Sequence, residues 1–174
     1  MESMALVLIA LVAASGATAP SSCAPTEEMK HLAANMTPPL HLPSDEAWAS
    51  WRAQGADTSR WHTVCADVND DGVRDVCTIL TGDKRRWVAG CFVARGGTAP
   101  RFESFADSEA SHGSAVDPPY YALGVLRKGE TMEWSGGIGE IRLKRDCVSF
   151  GGSESSMSVH CFNGSYFLEI ELAD

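Results

Sequence analysis

In one short segment of this chain, oxygen-bearing side chains alternate with other residues, and the segment reads D-x-N-x-D-G-x-x-D from Asp67 to Asp75. Four side-chain oxygens on so short a loop repel one another unless a hard cation lies among them, and Ca²⁺ prefers about 6–8 oxygen ligands. Gly72 supplies the sharp turn that such a loop needs. Strand-like sequences lie on both sides, at 61–66 and 74–81, so the segment predicts a β-hairpin with a calcium-binding loop at its tip.

The segment does not match an EF-hand loop, because such a loop beginning at Asp67 needs a bidentate Glu at its twelfth position, and Thr78 stands there. It resembles instead the calcium loops of FG-GAP repeats, which form hairpins in integrin α-chain propellers and in bacterial repeat proteins. Only one copy is present over residues 64–81, which excludes a propeller. The alternative is an Asx-rich turn without metal. The resemblance implies five ligands, namely the side chains of Asp67, Asn69, Asp71 and Asp75 and the backbone carbonyl of Val73.

The N-terminus has the pattern of a secretory signal peptide. Residues 4–14 form an apolar run that is too short to span a bilayer, and small residues follow it. The segment before this run departs from the pattern, since it contains Glu2 and no Lys or Arg. We expect a signal peptide at 1–19, a helical segment at 20–60 and a β-rich domain at 61–174. Lipidation at Cys23 is a further alternative, which Pro20 disfavours because a lipoprotein signal has a Leu-like residue at that position.

Six cysteines follow the expected signal peptide, and an even number in an exported chain predicts disulfide bonds in an oxidising compartment. Residues that are directly opposed in an antiparallel hairpin have a constant sum of residue numbers. The residue numbers of Asp67 and Asp75 add up to the same value as those of Cys65 and Cys77. The calcium-loop hairpin therefore predicts a Cys65–Cys77 disulfide just below its tip.

The remaining cysteines predict two further disulfides, Cys147–Cys161 and Cys23–Cys91. The first pair flanks a polar turn at 151–156, and the second consists of the two cysteines that are left. A zinc site that uses His62 and His160 is the alternative, but the chain contains no C-x-x-C pair to support it.

Helix signals come first along the chain, and strand signals follow. Thr26 predicts the N-cap of a helix over 27–35, and Ser44 predicts the start of a second helix that ends near Gln54. We expect an α+β, β-rich fold in which short N-terminal helices precede antiparallel hairpins that form one sheet or a small sandwich. Strands are predicted at 61–66, 74–81, 87–94, 120–126, 130–134, 139–149, 157–162 and 165–172.

The C-terminal end predicts a hairpin with a type I′ turn at Asn163-Gly164. Residues 154–174 are also similar to the final hairpin of small exported bacterial proteins that contain one calcium loop of this kind. The biochemical roles of those proteins are largely undefined, so the similarity bears on architecture more than on function.

The chain is acidic, with a formal net charge of −9. This charge disfavours nucleic acids and anionic membranes as partners and favours a basic protein. A polar stretch at 96–119 is expected to be a long loop, and loops of this length are usually functional or disordered. We expect four acids of this region to contact the partner, namely Glu103, Asp107, Glu109 and Asp117.

The sequence contains neither a nucleophile-elbow pattern nor a phosphate-binding loop followed by a helix signal, so we assign no catalytic residues. It favours an exported, disulfide-stabilised, calcium-binding protein-interaction module, acting as an inhibitor or immunity protein against a secreted toxin or hydrolase. Two alternatives stay open, a secreted or periplasmic hydrolase with a site near His112 and a structural envelope protein.

Overall fold

The structure is a computed structural model, and it describes residues 23–42, 62–83, 86–108, 121–133, 139–152 and 157–171. The predicted signal peptide and the predicted helix from Ser44 to Gln54 lie outside these residues. Within them the chain forms one helix and ten strands. These elements are α1 (Glu27–Ala34), β1 (Thr63–Ala66), β2 (Asp75–Thr81), β3 (Trp87–Val93), β4 (Arg101–Asp107), β5 (Tyr121–Leu126), β6 (Thr131–Glu133), β7 (Glu140–Arg142), β8 (Cys147–Gly152), β9 (Ser158–Phe162) and β10 (Phe167–Glu171).

Two four-stranded antiparallel sheets pack face to face. The first sheet has the order β1-β2-β3-β4, the second has the order β10-β9-β8-β5, and β6 and β7 form a separate two-stranded sheet. The inner faces share one apolar core, to which β2 and β3 contribute Ile79 and Trp87 and β8 and β9 contribute Val148 and Phe162. At the sides of the sandwich, β4 lies beside β10 and β1 beside β5. The β-rich prediction is therefore confirmed, in the form of a sandwich.

Helix α1 covers the outer face of the first sheet. It begins at the predicted position, because the Thr26 hydroxyl accepts a hydrogen bond from the backbone N–H of Met29 at 3.3 Å. Ala33 and Leu40 pack on Leu80 and its neighbours from β3. Both faces of β2 and β3 are thus covered, which explains why these strands are almost continuously buried.

The β6–β7 hairpin covers the outer face of the second sheet in the same way. Met132 of β6 and Leu143, just after β7, pack on Cys147 and Val159. The structure thereby divides the predicted strand at 139–149 into two, since β7 belongs to this hairpin and β8 to the sandwich.

Three disulfides are present, Cys23–Cys65, Cys77–Cys91 and Cys147–Cys161. The third was predicted, whereas the predicted Cys65–Cys77 and Cys23–Cys91 pairs are wrong. In the β1–β2 ladder Cys65 is opposite Val76, and Val64 is opposite Cys77. This register differs by one residue from the predicted one. Because successive strand residues point to opposite faces, such a difference places Cys65 and Cys77 on opposite faces of the sheet.

The observed pairings follow from these faces. Cys77 belongs to the core between the sheets and is directly opposite Cys91 of β3. Cys65 shares the outer face with Val76, under the N-terminal segment, and that segment supplies Cys23. No cysteine is free, so the alternative zinc site has no thiolate ligand.

Strand β4 lies inside the stretch that was predicted to be a loop, so that prediction is wrong for residues 101–107. Its pairing with β3 is irregular, because Ala89 is opposite Ala106 whereas Gly90 is opposite Ser104. Phe105 is therefore an extra residue, as in a β-bulge. The bulge interrupts the alternation of apolar and polar residues that would have identified the strand.

The C-terminal hairpin is confirmed, but its predicted turn type is wrong. Phe162 pairs with Phe167, which leaves a four-residue connection. Gly164 has a positive φ of 105°, whereas Asn163 does not, and a type I′ turn needs positive φ at both central residues. The Asn163 side chain instead accepts hydrogen bonds from the backbone N–H groups of Ser165 and Tyr166, at 2.9 and 3.0 Å.

Candidate functional site

The segment 67–75 joins β1 to β2 as a tight loop that its own side chains hold in shape. The Asp67 carboxylate accepts hydrogen bonds from the backbone N–H groups of Asp71 and Gly72, at 3.0 and 2.9 Å. The Asp71 carboxylate accepts one from Val73 at 2.9 Å. Gly72 has a φ of 83°, a conformation that glycine adopts without steric cost. The sharp turn predicted at Gly72 is therefore present.

The base of the loop is attached to the end of β3. Asp75 is only 2% exposed, and its carboxylate accepts hydrogen bonds from the backbone N–H groups of Val68 and Ala94, at 3.1 and 3.2 Å. The Asn69 amide donates to the Ala94 carbonyl at 2.6 Å and to the Asp71 carboxylate at 3.0 Å. Ala94 thus orients two of the predicted ligand residues.

Asp75 has an unusual electrostatic environment. The pKa of its carboxyl group is raised to about 7, chiefly by burial and also by the nearby carboxylates of Asp71 and Asp67, against the two backbone hydrogen bonds that lower it. A buried carboxyl group among other carboxylates favours its neutral form unless a positive charge compensates it. A cation bound in the loop would supply this positive charge and favour the ionised form of Asp75.

The donor set of the loop suits a hard cation in its chemistry, since every predicted ligand presents oxygen. Each carboxylate oxygen also has more lone-pair positions than its present hydrogen bond uses. Within the described ranges, however, no three His, Cys, Asp or Glu side chains are grouped closely enough to hold a metal ion. In the conformation described, the carboxylates of Asp67 and Asp75 are directed to backbone N–H groups, and that of Asp71 to the backbone of Val73 and the amide of Asn69.

The loop is also attached to the second half of the molecule through Asp146, which lies just before β8. The Asp146 carboxylate accepts hydrogen bonds from the backbone N–H of Asp67 at 3.2 Å, from the backbone N–H of Lys128 at 2.9 Å and from the Arg127 guanidinium at 2.7 Å. Burial opposes its ionisation, but these bonds outweigh burial and lower the pKa of Asp146. The Lys128 ammonium lies 2.7 Å from a carboxylate oxygen of Asp70.

A cleft of about 260 Å³ lies at the end of the sandwich remote from the loop. Three strands line it near their first residues, namely β3, β5 and β9. Strands β4 and β8 line it near their last residues, and β10 contributes as well. It combines aromatic rings with polar groups, and the lining residues are Trp87, Phe105, Ala106, Asp107, Tyr121, Phe150, Ser158, His160 and Glu169.

The aromatic rings of the cleft support one another. The Tyr121 ring centroid lies 4.8 Å from that of Trp87 and 4.9 Å from that of Phe150. Phe105 stacks on His160 with a centroid separation of 4.6 Å, which links β4 to β9 across the side of the sandwich. The indole N–H of Trp87 is buried without an acceptor, so apolar and aromatic packing orients this ring.

His160 and Ser158 have the residue types of a hydrolytic pair, and the imidazole Nε2 lies 2.8 Å from the hydroxyl. The hydroxyl also donates to the backbone carbonyl of Phe150 at 3.3 Å. Both contacts are satisfied together when the imidazole donates through Nε2, since the hydroxyl has a single proton. Burial lowers the pKa of His160 to about 4, so the ring is neutral at neutral pH. We therefore assign this pair a structural role.

Of the four acids predicted to contact a partner, Glu109 and Asp117 lie outside the described residues, as does His112. Glu103 is opposite Cys91, which faces the core, and Asp107 is opposite Val88, which packs with the residues under α1. Opposed residues share a face, so Glu103 and Asp107 are on different faces of β4. The bulge at Phe105 causes this separation, and only Asp107 lines the cleft.

The positions of Asp146 beside the loop and of Glu169 at the cleft were not predicted from the sequence. The contact from Asp146 to Asp67 spans 79 positions, so no local pattern indicates it. Glu169 lies on an edge strand, and its only sequence signal is the alternation of apolar and acidic residues in β10, which an ordinary solvent-facing residue would also produce.

A scan against models of known protein families finds no match to this chain, and searches of curated proteins and of solved structures find none either. Over the residues described, none of the helical structure has the length and apolar character required to cross a membrane. The three disulfides indicate an oxidising environment outside the reducing cytosol.

Proposed function

We propose that this chain is an exported protein-binding module for a basic partner, stabilised by its disulfides and by calcium in the loop at 67–75. The observation that supports the binding role is the acidic and aromatic cleft at one end of a scaffold that three disulfides brace. Within the described lining, Ser158 and His160 hydrogen-bond each other, and Glu169 lies on the same face of the sheet as His160. In its narrower form the proposal is an inhibitor or immunity protein that covers a cationic site on a secreted toxin or hydrolase.

Calcium has a stabilising role in this proposal. Asp67, Asn69, Asp71 and Asp75 would supply side-chain oxygens and Val73 a backbone carbonyl, and binding would draw these groups together. The loop contacts both sheets, through Ala94 after β3 and Asp146 before β8. Ordering the loop would therefore stabilise the contacts between the two sheets at this end of the sandwich. An ion that binds only the folded state adds about 2.7 kcal/mol of stability at one hundred times its dissociation constant.

The binding role is tested with the tagged mature chain, residues 20–174, used to isolate partners from the native envelope or secretion extract in calcium and again in chelator. Any protein recovered is then purified and titrated against the module by calorimetry. We expect saturable binding of a partner with a basic surface, and inhibition of the partner if it is a hydrolase or toxin. A purified partner that binds without saturation, or an acidic one, would contradict the proposal.

A further inference from the structure

We propose that the cleft at the remote end of the sandwich receives a cationic side chain, lysine or arginine, from the basic partner. This inference rests on the proposed function and identifies which group of the partner the module binds.

The walls of the cleft have the chemistry that binds an organic cation. Phe105 and Tyr121 are partly exposed, and Trp87 and Phe150 lie buried behind them. The face of an aromatic ring is electron-rich and attracts an ammonium or guanidinium group within about 6 Å of its centroid. The contacts from Tyr121 to Trp87 and Phe150 hold these rings in place, so the walls are organised before a ligand arrives.

The charge of the cleft has the complementary sign. Glu169 is directly opposite His160 in the β9–β10 ladder, so its side chain is on the face of the sheet that borders the cleft. Asp107 borders the cleft from the other face of β4, so Glu169 supplies the negative charge on this face. Among the described lining residues there is neither Lys nor Arg, and His160 is neutral at neutral pH. A cation that enters the cleft therefore meets negative charge.

The size of the cleft favours one side chain over a larger ligand. Its volume of about 260 Å³ lies just below the roughly 300–1,000 Å³ of sites for drug-sized molecules. A lysine or arginine side chain has an apolar stem and a charged end, which match the aromatic walls and the Glu169 carboxylate in turn. The net charge of −9 favours the approach of a basic partner over a longer range.

The direct test is an NMR titration of the mature protein with Nα-acetyl-lysine methylamide and, separately, with the norleucine analogue, which keeps the apolar stem without the charge. The indole N–H of Trp87, assigned with a Trp87→Phe variant, reports on the cleft. We expect saturable shifts with the lysine compound and none with the norleucine compound. Equal responses to both would show an apolar cleft without charge preference, and no response to either would show no site; both results would overturn the inference.

Two variants test the roles of charge and ring separately. Glu169→Gln keeps the shape of the side chain and is expected to weaken lysine binding about three- to tenfold, whereas Glu140→Gln on β7, outside the cleft, leaves it unchanged. Tyr121→Leu is expected to weaken binding about two- to fivefold, and Tyr121→Phe to preserve it. Thermal melts confirm that each variant is folded. Equal losses with Glu169→Gln and Glu140→Gln would indicate unspecific attraction and overturn the site.

The same variants separate this inference from the proposed function. If a basic partner binds saturably and Glu169→Gln does not change its affinity, the cleft inference is wrong and the binding function stands. If the lysine compound binds in the cleft but no basic partner is found, the cation site stands and the proposed function fails.

Discussion

Asp146 accepts a hydrogen bond from the backbone N–H of Asp67 at 3.2 Å, and this contact joins the first residue of the acidic loop to the start of β8 in the opposite sheet. The same carboxylate is bound by Arg127 and Lys128 of the β5–β6 turn. One buried acid thus joins a loop of the first sheet, a turn of the second and the strand that it precedes. Together with the Lys128–Asp70 ion pair, it connects the two sheets at this end.

We predict that Asp146→Asn lowers the free energy of unfolding by about 2–3 kcal/mol, because hydrogen bonds to a charged group contribute about 1.5–3 kcal/mol and the exposed Arg127 retains water as a partner. Urea denaturation of the chain from residue 20 onwards measures the change. Asp83→Asn is the matched control, since Asp83 is exposed at the β2–β3 turn. A loss that does not exceed that of the control would show that Asp146 does not hold the loop.

Calcium is predicted to raise the melting temperature by roughly 5–10 °C when its concentration is about one hundred times its dissociation constant. Asp71→Ala should abolish this increase, because Asp71 is a central ligand in the proposed site. Calorimetric melts with calcium and with chelator measure both effects. Asp83→Ala should keep the full increase, and identical calcium responses in Asp71→Ala and Asp83→Ala would refute the calcium site.

Acid is predicted to destabilise the protein through His160. Its pKa is about 4 in the folded state and 6.5 in the unfolded state, so between these pH values the unfolded chain binds more protons. Stability due to His160 is therefore full above pH 6.5 and falls as the pH decreases to about 4, by roughly 3 kcal/mol in total.

His160→Gln isolates this effect, because Gln does not titrate and retains a hydrogen-bonding group for Ser158. The comparison is made between the two proteins at each pH, since the raised pKa of Asp75 acts in the opposite direction in the same range. Unfolding free energies from urea at a series of pH values provide the measurement. Parallel pH profiles for the two proteins would show that His160 titrates normally.

Gly90→Ala is predicted to destabilise the protein by about 2 kcal/mol, within the range known for overpacked cores. A Cβ atom at this position would lie 2.5 Å from the backbone oxygen of Glu103 and 2.8 Å from the Cα of Ser104, so β3 and β4 would have to separate at the bulge. Gly124→Ala is the matched control within a strand, because its short contact is with the Ser149 hydroxyl, which can rotate away. Equal costs in a denaturation experiment would contradict a tight approach of β3 and β4.

Local sequence signals predicted the features that depend on neighbours in the chain. The hydroxyl of Thr26 and the acids after it start α1 as expected, and Gly72 makes the turn expected of it. Cys147 and Cys161 were predicted to pair across their hairpin, and they do. The prediction of a type I′ turn at Asn163 was wrong, although it too rested on local signals. The Asn163 side chain accepts hydrogen bonds from the backbone of a longer connection.

The sequence by itself determined that this chain is β-rich, that its cysteines form disulfides and that residues 67–75 make a tight turn, since periodicity, composition and turn residues act over a few positions. The tertiary structure decided which cysteines pair, because a one-residue difference in the β1–β2 register reverses the face of Cys65. It also decided that Asp146 meets Asp67 and that Glu169 meets Phe105 and Tyr121 at one cleft. These contacts join residues far apart in the chain, and only the closure of the two sheets brings them together.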